Sequence, residues 1–313
     1  MYEGRTILDG IDLTVPVGTV FALLGPNGAG KTTVVKILST LVTADAGDLR
    51  VGGHDLVADP RAVREAIGVT GQFSAVDGLI TGEENMWLMA DLHKVPRRQG
   101  RSRVAALLER FDLVDAAKKP ASTYSGGMRR RLDIAMTLVG EPRIIFLDEP
   151  TTGLDPRSRH AMWEIVRALV ADGVTVFLTT QYLQEADELA DRIAVLNGGG
   201  LVAEGTPDEL KRLVPGGHVR LRFADADALG RARRLFPEAE RELGLGTGHD
   251  EAPTLQVPSD GGVRSVKAIL DRVDGAGLEV EGLTLERPDL DDVFFAVTGH
   301  PGSEKEKKQG VNR

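Results

Sequence analysis

A short segment near the start of the chain has the residue types and spacing of a loop that binds phosphate groups. Residues 25–32 read Gly-Pro-Asn-Gly-Ala-Gly-Lys-Thr, which fits the pattern G-x-x-x-x-G-K-[ST]. An apolar, strand-like run (residues 19–24) precedes the pattern, and a helix-like run (residues 31–41) follows it, as such a loop requires. Glycines let backbone N–H groups converge on phosphates, and the helix N-terminus adds the positive end of its dipole. The segment therefore predicts a nucleotide site.

Two side chains of this loop have specific expected roles. Lys31 is expected to reach the β- and γ-phosphates of ATP, and the Thr32 hydroxyl to ligate Mg²⁺. A chance glycine-rich turn is the alternative, and the flanking strand and helix disfavour it. The residues predicted to contact the nucleotide here are Gly25, Pro26, Asn27, Gly28, Ala29, Gly30, Lys31, Thr32 and Thr33.

A second apolar run ends in two carboxylates. Residues 143–149 read Arg-Ile-Ile-Phe-Leu-Asp-Glu, and we expect a strand with Asp148 at its carboxyl end, placed to hold Mg²⁺ through water. Glu149 is the candidate base that polarises the attacking water. A strand that ends in a solvated acidic turn is the alternative. The phosphate loop in the same chain disfavours that alternative.

A Ser-Gly-Gly segment predicts a second site for an anion. Tyr124-Ser125-Gly126-Gly127-Met128 precedes a helix-like run (residues 129–139), and Ser125 lies 23 residues before Asp148. A serine hydroxyl, bare glycine amides and a helix N-terminus all favour a negative charge. At this spacing from the acidic strand, the segment resembles the signature of ABC transporter nucleotide-binding domains rather than an ordinary turn.

The resemblance implies a fold and an assembly. The fold is α/β: a P-loop NTPase core of the RecA-like kind with an antiparallel β subdomain and a helical subdomain. In that family Ser125, Gly126 and Gly127 would bind the γ-phosphate held by the opposite subunit. Two copies of the chain are therefore expected to close head to tail over two ATP molecules as a homodimer.

Further residues occupy positions that carry roles in the same family. Gln72, after the strand-like residues 67–70, resembles the glutamine that links Mg²⁺ and the attacking water to the membrane subunit; a solvated loop glutamine is the alternative. Residues 152–155 resemble the loop through which the subunits sense each other. Tyr2 occupies the place of the aromatic residue that stacks on adenine; a frayed terminal tyrosine is the alternative.

Two features depart from the wider family. Gln181 follows the strand-like residues 174–180, where the family usually has a histidine that contacts the γ-phosphate. A glutamine amide can donate a hydrogen bond to phosphate but cannot become charged. The edge strand that usually precedes the adenine-stacking residue also has no counterpart, because only Met1 precedes Tyr2. Either the true start lies upstream or the antiparallel subdomain forms without this strand.

Three longer segments narrow the resemblance to the daunorubicin-resistance group of ABC ATPases. They are residues 124–133, residues 178–183 and the late Leu-Asp-Asp-Val-Phe at 290–294. In that group the ATPase pairs with a separate integral membrane permease and exports hydrophobic drugs or antibiotics. The implied location is peripheral, at the cytoplasmic face of the cell membrane. Glutamine at position 181 is usual in this group, so hydrolysis is still expected.

Composition limits the other functions that the chain could have. The 313 residues include 42% apolar and 27% charged residues, with a formal net charge of −9. Nucleic-acid binding needs clustered Lys and Arg, so we expect no nucleic-acid partner. No cysteine is present, which excludes disulfides and thiolate metal sites. Apolar runs are far shorter than the roughly 18 residues that span a bilayer, so another chain must supply any pore.

The pattern of elements predicts three regions. Residues 1–214 are expected to form the nucleotide-binding domain, because short uninterrupted apolar runs are typical of parallel strands covered on both faces. Residues 215–300 are expected to form a small α+β domain, for which a βαββαβ ferredoxin-like unit is one interpretation. The polar residues 301–313 are expected to be a disordered tail. Within the second region, residues 290–297 predict a helix capped by Asp289 and closed by Gly299.

Two alternatives to a transport ATPase remain at this stage. A soluble ABC ATPase outside transport usually carries two cassettes or a long coiled-coil insertion, whereas this chain has one P-loop and a short interval between Gly71 and Ser125. An ATP-gated regulator without hydrolysis is disfavoured by Glu149. Residues 73–95 are a candidate seat for a membrane partner, and core packing explains them equally well.

Overall fold

The computed structural model describes residues 6–72, 74–214, 217–240, 253–259, 261–286 and 288–298. The chain divides into two compact units, Met1–Pro207 and Asp208–Arg313. This division lies seven residues before the expected boundary at residue 214. Tyr2, the tail at 301–313 and the predicted helix end at Gly299 lie outside the described residues.

The first unit contains a mixed sheet with helices around it. Its strands are β1 (Val20–Leu24), β2 (Arg50–Val51), β3 (His54–Asp55), β4 (Ile67–Thr70), β5 (Ile144–Asp148), β6 (Thr175–Thr180), β7 (Arg192–Asn197) and β8 (Gly200–Gly205). Its helices are α1 (Lys31–Leu38), α2 (Pro60–Ala66), α3 (Gly82–Leu92), α4 (Arg97–Arg110), α5 (Gly126–Leu138), α6 (Pro156–Ala171) and α7 (Leu183–Leu189), with 3₁₀ turns at Val114–Ala116 and Ala121–Thr123. Helix α8 (Pro207–Lys211) lies at the division between the units.

Among the described strands, six form one sheet in the order β4-β5-β6-β1-β7-β8. The first five are parallel, and β8 joins β7 antiparallel. All five residues of β1 are buried, as the uninterrupted apolar run predicts for a parallel strand. In the core, the rings of Phe21 and Phe177 stack with centroids 5.5 Å apart. Because β1, β4, β5 and β6 are parallel, the residues that follow them lie at the same edge of the sheet.

Two helices differ from the sequence prediction, α1 at its C-terminal end and α5 at its N-terminal end. Helix α1 ends at Leu38 rather than near residue 41, because Thr40 takes a left-handed backbone conformation with φ of 64°. Helix α5 begins at Gly126 rather than Arg129, because the Ser125 hydroxyl accepts a hydrogen bond from the Met128 amide and caps the helix. The signature glycines are therefore helical.

Helices α3, α4 and α5 pack together beside the sheet. Thr81 and Glu84 begin α3 with a reciprocal capping box. Met86 of this helix is fully buried, whereas Leu88 and Leu79 are exposed. The described residues of this candidate seat, 74–95, thus serve core packing in part and still present apolar side chains to solvent.

The second unit contains an antiparallel sheet covered by helices. Its described elements are β9 (Gly217–Arg222), α9 (Ala226–Leu235), a 3₁₀ turn (Pro237–Glu240), β10 (Thr254–Ser259), α10 (Val263–Gly275), β11 (Gly282–Glu286) and α11 (Leu290–Thr298). The described strands pair in the order β10-β9-β11, and Val219, Leu221 and Phe223 are fully buried in its core.

The βαββαβ interpretation of this unit stays a prediction. The order β10-β9-β11 matches three strands of that arrangement, and the second strand would fall at residues that include 241–252, outside the described residues. The sequence of residues 278–285 also predicts a strand, and this strand begins at Gly282 instead. Gly277 and Leu278 are used to close α10, through hydrogen bonds from their amides to the carbonyls of Asp274 and Val273. Asp289 caps α11, as expected.

The described helices include none that is both long and apolar enough to cross a membrane. The longest of them, α6, has 16 residues and includes the charged residues Arg157, Arg159, Glu164 and Arg167.

Candidate nucleotide site

The loop between β1 and α1 has the backbone shape that its glycines permit. Gly30 has φ of 110°, a conformation that residues with a Cβ rarely adopt. At Gly25 a Cβ would collide with the carbonyl oxygen of Leu196. No side chain caps the N-terminus of α1, so the amides of its first turn point out of the helix without an intrahelical acceptor. This is the arrangement that binds phosphate oxygens.

Lys31 joins the phosphate loop to the acidic strand. Its side chain is 4% exposed, and its ammonium donates to the carbonyl oxygens of Gly25 at 2.8 Å and Pro26 at 3.1 Å. The same nitrogen lies 3.4 Å from Glu149 Oε1. The structure therefore brings together the predicted phosphate-binding cation and the predicted base.

Asp148 and Glu149 have different surroundings at the end of β5. Asp148 is buried, and its Oδ1 accepts a short hydrogen bond from the Thr179 hydroxyl on the neighbouring strand β6. Glu149 has φ of 49°, and its amide donates to both the side-chain and backbone oxygens of Thr179 at 3.1 Å. Its Oε2 accepts from Thr152 at 3.2 Å. Strand pairing thus fixes both carboxylates relative to β6.

Gln72 and Gln181 lie at the same edge of the sheet. Gln72 follows β4 by two residues, and Thr70 is paired with Leu147, next to Asp148. Gln181 directly follows β6, and the Thr180 carbonyl accepts a hydrogen bond from the amide of Gly25. The structure places both glutamines where the sequence predicts, and their contacts with nucleotide, like those of Thr32, stay predictions.

The signature residues form a separate surface. Ser125, Gly127 and Ser158 are among the residues that line a cavity of about 270 Å³ between the N-termini of α5 and α6. A Cβ on Gly127 would lie 2.7 Å from the Ser158 hydroxyl, so a larger residue there would displace the Ser158 side chain. In the described part of the chain, the hydrogen bond of the Ser125 hydroxyl is to Met128 and not to the phosphate loop.

Three buried charged residues near the site were missed by the sequence reasoning. Arg130 and Asp133 of α5 form an ion pair of 3.4 Å, and Glu185 of α7 accepts a hydrogen bond from the Trp163 indole at 3.3 Å. Burial raises the pKa of Glu185 and of Asp133, and for Asp133 the charge of Arg130 opposes that shift. The available signal was an arginine and an aspartate three residues apart on an otherwise buried helix face.

Two family models match parts of the chain. The model of the family described as ABC transporter matches residues 8–152. The model described as osmosensitive K⁺ channel His kinase sensor domain matches residues 94–214, a segment without the phosphate loop.

Curated relatives match nearly the whole chain. The daunorubicin/doxorubicin resistance ATP-binding protein DrrA of Streptomyces peucetius is 47% identical over 99% of this chain and 93% of its own length. The doxorubicin resistance ATP-binding protein DrrA of Mycobacterium tuberculosis is 45% identical over 96% and 91%. A Nod factor export ATP-binding protein I of Ralstonia nicotianae is 41% identical over 67% and 65%.

Solved structures agree on the fold. An ATP-binding subunit of an ABC transporter has a TM-score of 0.61 and 28% identity, over 68% of this chain and 88% of that one. An ATP-binding cassette of an ABC transporter in its ADP conformation has a TM-score of 0.58 and 25% identity, over 65% and 86%. These likenesses confirm the predicted α/β fold class.

Proposed function

This chain belongs to the ATP-binding proteins of ABC transporters, and from that premise we propose that it powers the export of a hydrophobic drug or antibiotic through a separate membrane permease. ATP binding and hydrolysis follow from the family. The drug class is supported by the names of the relatives that match nearly the full chain, which confer resistance to daunorubicin and doxorubicin.

One observation carries the assignment of the catalytic site. The Lys31 ammonium lies within hydrogen-bond distance of two phosphate-loop carbonyls and 3.4 Å from Glu149. A phosphate bound in the loop would therefore lie next to the carboxylate that can accept a proton from water. We assign Glu149 as the base, and Gln181 as a neutral donor to the γ-phosphate.

The same edge of the sheet supplies oxygen ligands suited to Mg²⁺. Thr32, Gln72 and Asp148 would hold the ion, directly or through water, with the hydroxyl, amide and carboxylate oxygens that this hard cation prefers. Bound there, Mg²⁺ would neutralise charge on the phosphates. The Thr179 hydroxyl orients Asp148 for this role through their hydrogen bond.

The proposed working form is a homodimer that encloses two ATP molecules. Ser125, Gly126 and Gly127 of one copy would contact the γ-phosphate held by the partner. The separate cavity at the N-termini of α5 and α6 supports this arrangement, since its lining residues do not include the phosphate loop of the same chain. The proposed location is peripheral, at the cytoplasmic face of the cell membrane, bound to an integral membrane permease.

The test is Glu149→Gln, which keeps the shape of the side chain and removes the base. We expect ATP binding to persist and hydrolysis to fall by roughly 10²–10⁴, with an ATP-bound dimer accumulating in size-exclusion chromatography. Glu164→Gln is the matched control, because Glu164 is an exposed carboxylate that pairs with Arg167 on α6. Wild-type turnover in Glu149→Gln would contradict the assignment.

A second measurement separates transport from a soluble role. Co-expressed with its membrane partner, the chain should fractionate with membranes, and alone it should not. A chain that stays in the soluble fraction in both cases would favour an ABC ATPase outside transport.

A further inference from the structure

Two buried side chains of α5 hold both ends of the segment that carries Gln72. Arg130 Nη1 donates to the carbonyl oxygen of Gly71 at 2.8 Å, and Asp133 Oδ1 accepts from the amide of Ala75 at 3.2 Å. The two side chains pair with each other at 3.4 Å and are 10% and 4% exposed. Gln72 therefore lies on a segment anchored on each side by one member of the same ion pair.

The guanidinium of Arg130 also contacts the catalytic strand. Its Nη2 donates to the carbonyl oxygen of Asp148 at 3.1 Å, and its Nε to that of Pro150 at 3.0 Å. A guanidinium is planar and rigid, so these carbonyls and that of Gly71 have fixed relative positions. One side chain thus links the residue before Gln72 with the residues on each side of Glu149.

We propose that Arg130 and Asp133 are positioning residues that hold Gln72 in register with Asp148 and Glu149. The inference rests on the proposed function and on the role that the family resemblance implies for Gln72, which is to link Mg²⁺ and the attacking water to the permease. Ser125 caps the same helix, so α5 would join the surface proposed to meet the partner's ATP to the loop proposed to face the permease. Occupancy of one site would reach the other subunit's Gln72 through this helix.

Stability alone does not account for such a pair. A buried ion pair is often no more stabilising than apolar side chains of the same volume. Removing one partner, however, leaves the other charge buried without a partner and destabilises the fold. The substitutions are chosen to separate these effects. Arg130→Gln removes the charge and most donors, and Arg130→Gln/Asp133→Asn removes both charges and leaves an amide at each position.

The first measurement is a kinetic cycle on the full chain with MgATP. Arg130→Gln should lower kcat roughly ten- to a hundredfold, with the KM for ATP changed less than about twofold. Added to Gln72→Ala, it should lower kcat little further, because the side chain that Arg130 positions is then already absent. Arg103→Gln is the matched control, since Arg103 likewise donates to a backbone carbonyl and pairs with a carboxylate, Glu141, away from the site.

The second measurement tests directly how firmly the segment that carries Gln72 is held. In hydrogen exchange, Asp133→Ala should speed exchange in residues 71–80 by roughly tenfold or more, with no change in β1. Arg130→Gln/Asp133→Asn should regain most of the free energy of unfolding but not the wild-type kcat.

Four outcomes would overturn the inference. They are additive losses in the cycle, a Gln72→Ala variant with wild-type kcat, unchanged exchange in residues 71–80, and recovery of kcat together with stability in the doubly neutral variant. Failure of the proposed function has a different signature, namely wild-type protein that does not hydrolyse ATP or Glu149→Gln that does so at the wild-type rate. The exchange experiment needs no turnover and tests the positioning in either case.

Discussion

Gln181 places an uncharged donor at the end of β6, beside the phosphate loop. A hydrogen bond from an amide to a charged oxygen contributes about 1.5–3 kcal/mol. A histidine there could add positive charge only when protonated, and its unperturbed pKa of about 6.5 makes that condition steep near neutrality. The identity of this one side chain should therefore decide whether position 181 adds a pH dependence to the rate.

We predict that the wild-type rate shows no titration of the histidine type from this position between pH 6 and 8. Gln181→Ala should lower turnover roughly tenfold or more, because the phosphate loses a donor. Gln181→His should stay active and acquire a pH dependence in that window. The measurement is the pH–rate profile of the three proteins, and a Gln181→Ala variant as fast as wild type would show that the residue is a bystander.

Residues of the site differed in how visible they were in the sequence. The phosphate loop, Asp148 and Glu149 are defined by local patterns, so their neighbours in sequence were sufficient to place them. Arg130 is not, because its partners Gly71, Asp148 and Pro150 are far away in sequence and are backbone carbonyls, which leave no trace in residue type. Its role depends on a tertiary contact that periodicity cannot encode.

At the scale of elements, α3 illustrates a start signal that acts locally. The Thr81 hydroxyl accepts from the Glu84 amide at 3.2 Å, and Glu84 accepts from the Thr81 amide at 2.8 Å. These two bonds satisfy amides that the first turn of a helix otherwise leaves without partners. The bond from the Thr81 amide also holds the pKa of Glu84 below its usual range, because it favours the charged carboxylate, and a hydrogen bond from the Thr81 hydroxyl to the same carboxylate adds to this effect.

We predict that Thr81→Ala lowers the free energy of unfolding by about 1 kcal/mol. Urea denaturation of the first unit measures this loss. Thr123→Ala is the control, because the Thr123 hydroxyl donates locally to the Pro120 carbonyl and caps no α-helix; its effect should stay within about 0.5 kcal/mol. Equal losses in the two variants would mean that the capping box adds nothing specific.

Strands were easier to predict than helix ends. Apolar runs gave β1, β4, β5 and β6 within a residue or two, because burial on both faces removes polar residues from such strands. Helix ends depend instead on single backbone conformations, such as the positive φ of Thr40, and on caps such as Ser125. Each such feature changes the stability of the helix by a few tenths to about 2 kcal/mol. Differences of that size are only weakly visible in residue patterns.

At the scale of the whole molecule, each compact unit has its own hydrophobic core. The core of the first unit includes Phe21, Phe146 and Phe177, and that of the second includes Phe223 and Phe236. The residues assigned to nucleotide lie in the first unit. A ligand that binds only the folded first unit should stabilise that unit by mass action.

We predict two thermal unfolding transitions by calorimetry, and MgATP should raise the midpoint temperature of only one of them. At a free concentration a hundred times the dissociation constant, the stabilisation should be about 2.7 kcal/mol. Lys31→Ala should abolish the shift and leave the second transition in place. A single transition that moves as a whole with MgATP would show that the units unfold together.

The backbone at Glu149 has a consequence for the evolution of the chain. Its φ of 49° is a conformation that glycine adopts freely and that glutamate enters at a cost on the order of 1–2 kcal/mol. Folding stability alone would therefore favour glycine at this position. We expect the carboxylate to persist only where ATP turnover is under selection. Lineages that abandon hydrolysis should therefore lose this residue early and become more stable as they do so.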